Sequence, residues 1–282
     1  MHSHPSYFRV FLTFARNSVV RDMMFRANFI IEFFSTITWT LMDLGFYLLI
    51  FQHTSTIVGW GKYEFFAFLA TTKFVNSLVQ AFFMPNCEEV SELIRTGGLD
   101  FALLKPIDTQ FLISLRKIDW SALLAHMTVG ISLFTVSIVH LTTRQDHPLH
   151  IGPLTVGLYI FYVLCGVAIL YSLMIGLAAT SIWLGRNQSL YDFWFYITNF
   201  SRYPMEIYSG KWGDPLQIGF TYILPVLVVI NVPARIIAQP LSASTPQGRW
   251  LPLFTLVATI TCLAVSRMVF QQALRSYRSA SS

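Results

Sequence analysis

Several stretches of this chain are apolar without interruption for longer than a soluble fold needs, and that limits its folds more than any other feature. A bilayer core of about 30 Å is crossed by roughly 20 residues of helix. Apolar blocks of that size occupy residues 27–51, 63–84, 118–141, 154–184 and 250–270. Lipid offers no hydrogen-bond partners, so each block must be a helix or belong to a closed barrel. A barrel shows alternating segments of about ten residues, whereas these blocks are continuous. Composition agrees, because only 12% of the residues are charged, where a soluble domain carries about a quarter. The expectation is an all-α integral membrane protein with about six spans.

Before the first span, residues 7–26 place Phe8, Phe11, Leu12, Ala15 and Val19 on one helical face and Arg9, Thr13 and Arg16 on another. That pattern fits an interfacial helix within the first 26 residues, lying in the headgroup layer; the alternative is a plain extension of the first span. No apolar run precedes the span, so a cleavable signal is not expected.

Orientation follows from Lys and Arg. With the N-terminus in the cytosol, twelve of them fall on the inner side, six on the outer side and Lys73 within a span. The bias places both termini inside and makes the number of crossings even. Residues 187–238 can then cross only once. The crossing is placed at 187–203. Residues 216–238, interrupted by Pro225 and Pro233, become a hairpin that dips in from outside and turns near Pro225. Two full crossings here, with the C-terminus outside, is the alternative. The net charge of +5 fits loops facing anionic lipid rather than nucleic acid.

The longest polar stretch, residues 85–117, faces the cytosol on this map. Residues 88–95 form a short amphipathic helix. Val90, Leu93 and Ile94 make its apolar edge, Glu88, Glu89 and Glu92 its acidic one, and Arg95 its end. Gly97 and Gly98 stop it, as glycines do at helix C-termini. Such an edge needs burial, either on a cytosolic protein or on lipid headgroups.

Four runs in order, ELIRTGGLDFALLKPID, SRYPMEIYSG, ILPVLVVINVPARII and the ending YRSASS, resemble the permease subunits of type-2 ABC exporters, and a bacterial subfamily of permease components in particular. The resemblance spans nearly the whole chain. It implies six spans behind an elbow helix, and a coupling helix between spans two and three that docks a cytosolic ABC ATPase subunit. That helix maps to residues 88–95 with Gly97 and Gly98. It also implies an outer gate of re-entrant helices, mapping to residues 216–238 with Pro225 and Pro233. The unit would hold two permeases, as a homodimer or a paralogous heterodimer, in the bacterial inner membrane. The chain has no G-x-x-x-x-G-K-[ST] loop, so ATP and Mg are expected on the partner, and this chain is not expected to be an enzyme.

Glu32, Asp43 and Lys73 lie within the first two spans. A charge at the bilayer centre costs about 3 kcal/mol or more, so partners are expected. Helix rise puts Lys73 roughly 6 Å in depth from Asp43, which predicts an Asp43–Lys73 ion pair, either locking two spans or lining the path. Glu32 lies near enough to the inner surface to be solvated.

No H-E-x-x-H, G-x-S-x-G or carboxylate–His cluster occurs, so no catalytic, cofactor-binding or metal-ligating residue is expected. His126 and His140 read as packing residues, and Cys87, Cys165 and Cys262 as small apolar ones. The remaining alternatives are an ion-coupled carrier, although no repeated halves are visible, and a membrane scaffold.

Overall fold

The structure is a computed structural model that describes residues 6–144, 149–184, 188–239 and 246–277. Helix α1, Tyr7–Met24, is a separate element from α2, Arg26–His53. Phe25 interrupts them with φ −108° and ψ 42°. The polar face of α1 is used on the protein itself. Ser18 Oγ accepts from Ile118 N (3.0 Å), Arg21 donates to Ile118 O (2.9 Å), and Asp22 accepts from Trp120 N (3.2 Å).

After α2 the chain reverses in a miniature hairpin, β1 (Thr56–Ile57) against β2 (Trp60–Gly61). Its turn residues Val58 and Gly59 have φ of 51° and 82°. Two left-handed residues in a row match the right-handed twist of paired strands; glycine accepts this freely, while β-branched valine is strained there. Trp60, on β2, is buried. This side of the molecule is called the hairpin end below.

Helix α3, Lys62–Phe82, starts where Glu64 Oε2 caps Gly61 N (3.1 Å). It is the most enclosed long helix, packed by the later helices Trp120–Thr142, Pro153–Leu184 and Leu227–Ala238. Four short helices follow at the opposite, loop end: α4 (Met84–Glu88), α5 (Val90–Arg95), α6 (Gly98–Leu103) and α7 (Thr109–Leu115). Helix α8, Trp120–Thr142, is capped by Asp119, which accepts from Ala122 N (3.0 Å). Helix α9, Pro153–Leu184, has 32 residues and is therefore roughly 48 Å long. Helix α10 is Gln188–Ser201. A 3₁₀ turn at Met205–Tyr208, α11 (Asp214–Ile218) running into a π-helical turn (Gly219–Ile223), α12 (Leu227–Ala238) and α13 (Pro246–Ser276) complete the chain.

Among the described residues five helices are long and apolar enough to cross a membrane: α2, α3, α8, α9 and the Trp250–Ser276 part of α13. A sixth candidate is the pair Asp214–Ile223 and Leu227–Ala238, bent by 89°. The crossing expected at 187–203 contains α10, whose 14 residues reach roughly 21 Å, less than a bilayer core. After it, Glu206 of the 3₁₀ turn lies beside Trp60 at the hairpin end.

The bent pair has both ends at the hairpin end. Gln217, in α11, donates to Met205 O (2.9 Å), and Gln239, after α12, donates to Gly59 O (3.4 Å) and Glu64 Oε2 (3.1 Å). Between them the segment descends to Val229, beside Gly166 in α9. The turn falls at Pro225, as the proline predicts, but Pro233 breaks nothing, because α12 runs straight through it. Its missing N–H frees the carbonyl four residues earlier, and that carbonyl, Val229 O, is where a Cβ at Gly166 would come within 2.7 Å. The small residue lets α9 close over the orphaned acceptor.

Candidate functional site

The base of the 84–117 loop is bolted shut. Asn86 is buried and donates to Phe82 O (2.8 Å) and Lys117 O (2.7 Å), while its Oδ1 accepts from Lys117 N (2.8 Å). Glu89 pairs with Arg116 (2.8 Å) and with Lys117. One acid thereby holds two cations at the point where the loop leaves and rejoins the bundle. Glu89, expected on the acidic edge of the docking helix, is engaged in these two ion pairs.

The expected helix over 88–95 is two pieces, since Glu89 divides α4 from α5. Its apolar edge is also already covered. Val90 is buried, and Leu93 and Ile94 are half-buried against the chain itself. Gly97 takes the left-handed conformation that ends the helix (φ 72°), and Leu93 Cδ2 lies where a Cβ on Gly98 would stand, 2.9 Å away. The loop shows solvent a different face. Glu88, Glu92, Arg95 and Thr96 are exposed, with Arg95 held to Glu92 by two hydrogen bonds of 2.9 and 2.7 Å. The Arg95 guanidinium keeps the Glu92 carboxyl below its usual range. Beside them α6 exposes Phe101 (71%), Leu103 (41%) and Leu104 (81%). All three fall in the run ELIRTGGLDFALLKPID, where they are apolar residues in a polar loop.

The far side of the loop is tied to the bundle. Asp108 caps α7 through Phe111 N (2.9 Å) and forms an ion pair with Arg267 in α13. Arg267 also donates to Gln110 Oε1 (2.8 Å), and Gln110 donates to the Tyr171 hydroxyl in α9 (2.9 Å). Asp108 and Gln110, at the start of α7, are thereby tied to α9 and α13 through side-chain hydrogen bonds.

Within the membrane the expected Asp43–Lys73 pair is replaced. Asp43 pairs with Arg202 (2.7 Å), which α10 delivers to the same level. Lys73 donates instead to Thr40 Oγ1 (2.9 Å). Arg202 is one of the six Lys and Arg residues that the charge count places on the outer side, because nothing local shows where a residue 159 positions away in sequence will stand. Glu32 is exposed, in a cleft with Arg21, Asp22, Lys117 and Asp119. His126 bonds Gln80 (3.1 Å) and His140 stacks on Tyr63 (4.0 Å); both are packing arrangements. Among the described residues no group of acids, His or Cys is arranged to hold a metal ion.

At the hairpin end Arg235 of α12 pairs with Glu206 and lies over the Trp60 ring (5.8 Å), which fastens the rising arm of the bent pair.

A family model described as ABC-2 family transporter protein matches residues 37–281. The match begins inside α2, leaving α1 outside it. No curated protein and no solved structure matches the chain.

Proposed function

This chain belongs to the ABC-2 family of transporter proteins, as a membrane subunit of an ABC transporter, and from that premise we propose that it docks its ATPase through the 84–117 loop. The observation that carries the proposal is the set of exposed side chains on the loop's short helices: Glu88 at the end of α4, Glu92 and Arg95 on α5, Phe101 and Leu103 on α6, and Leu104 just after it. A large exposed apolar cluster with a charged rim is the form of a protein interface. The loop beneath it is braced by Asn86, Glu89 and the Asp108–Arg267 pair, so a rigid-body movement of the ATPase would reach the spans.

On this reading the ATPase binds ATP and Mg, and this chain is not the enzyme. The loop end and both termini are cytosolic, in a bacterial inner membrane, and α1 lies at the membrane surface as an elbow. Two permease copies, identical or paralogous, enclose the path. The bent pair forms a gate at its outer mouth, and transport runs outward. Family membership leaves the ion-coupled carrier and the scaffold without support.

The test is co-purification of an ABC ATPase with the tagged chain from its native membranes. Leu104→Asp together with Phe101→Asp should abolish recovery of the ATPase without reducing the amount of chain in the membrane. Undiminished recovery contradicts the proposal.

A further inference from the structure

Four elements meet at mid-membrane around an unbalanced charge. Lys73, on α3, lines a cavity with Thr40 and Asp43 of α2, Thr72 and Asn76 of α3, and Arg202 beyond α10. The charged side chains lining it are two cations and one carboxylate. The carboxylate is engaged by Arg202, and among the described residues no acid lies within 4.0 Å of Lys73. Among the described residues the hydrogen-bond partner of Lys73 is a hydroxyl whose proton is committed elsewhere, since Thr40 Oγ1 donates to Thr36 O (2.8 Å). An ammonium carries three donors; one is used here, which leaves two for another acceptor. Arg202 and Asp43 are 39% and 36% exposed, so the pair stands at the mouth of the cavity and not behind it.

An ionisable group at this depth ordinarily faces a partner or a path, and here the protein supplies too few negative charges. We infer that the Lys73 cavity receives an anionic group, a phosphate or carboxylate, carried either by an amphiphile or by a soluble anion. Asp43 competes with that group for the local cations and keeps its affinity low enough for release. Lys73 supplies the attraction, and Asn76 lines the same space with an amide. The inference deepens the transport reading and rests on it for its purpose, but binding by the permease chain needs no ATPase.

The test is equilibrium binding of dodecyl phosphate to the full chain in nanodiscs of zwitterionic lipid, with dodecyltrimethylammonium as the control. Saturable binding of the phosphate and not of the ammonium is expected. Lys73→Met should weaken it at least tenfold, Lys73→Arg should hold it within a few-fold, and Asp43→Asn should strengthen it several-fold by freeing Arg202. Full competition by inorganic phosphate identifies the source as a soluble anion; competition by phosphatidylglycerol alone identifies an amphiphile headgroup. Equal affinity in the wild type and Lys73→Met, or weaker binding in Asp43→Asn, overturns the inference. Co-purification of the ATPase with Lys73→Met separates that failure from failure of the docking reading.

Discussion

Glu89 and Glu92 stand three residues apart in one acidic run and do different work. Glu89 holds Arg116 and Lys117 at the base of the loop, whereas Glu92 holds only Arg95, in the open. Hydrogen bonds to charged groups contribute more when they are partly screened from water. Glu89→Gln should therefore cost about 1–3 kcal/mol, read as a lower Tm in detergent, while Glu92→Gln leaves the Tm unchanged. Equal losses would put the clamp in the wrong place. Asp108 offers a check on pH. The Arg267 hydrogen bond holds its carboxyl below the usual carboxylate range. A depressed folded-state pKa stabilises above the unfolded value of about 4, and that contribution is lost as pH falls through the depressed value. Asp108→Asn should thus start less stable at neutral pH and lose less on acidification below about pH 4 than the wild type. Parallel acid curves for the two chains would show that the pair contributes nothing.

Helices tell a similar story of near and far. The long apolar runs were legible because lipid permits only one local solution, and α2, α3, α8, α9 and α13 lie where those runs lie. Pro225 marked the bend of 89° correctly, since a proline acts on its own turn. Pro233 misled, because its effect depends on what covers Val229 O, and the cover is Gly166, far away in sequence. The apolar edge of Val90, Leu93 and Ile94 misled in the same way: a helical pattern shows that a face is buried, not against what. Gly166→Ala should cost about 1–3 kcal/mol by overpacking. Gly176→Ala, in the same helix with nothing within 4 Å of the added Cβ, should be neutral or gain up to about 1 kcal/mol. Thermal unfolding of both variants decides it, and an equal response would mean α9 and α12 do not depend on close approach.

For the whole molecule, the two ends of the bundle carry different equipment. The hairpin end is fastened by Glu206, Arg235, Trp60 and Gln239, and the loop end presents Phe101 and Leu104 to solvent. Arg202 could not be assigned from sequence because its role appears only when α10 folds beside α2; the partnership is tertiary and has no local trace. The central claim is that the loop end receives an ABC ATPase. Photo-crosslinking tests it most directly, with a photoreactive residue placed singly at Leu104 or at Trp212, which is 87% exposed near the hairpin end, in membranes containing the co-expressed ATPase. The account predicts a crosslinked permease–ATPase band from position 104 and none from position 212; a band from 212, or none from 104, contradicts it.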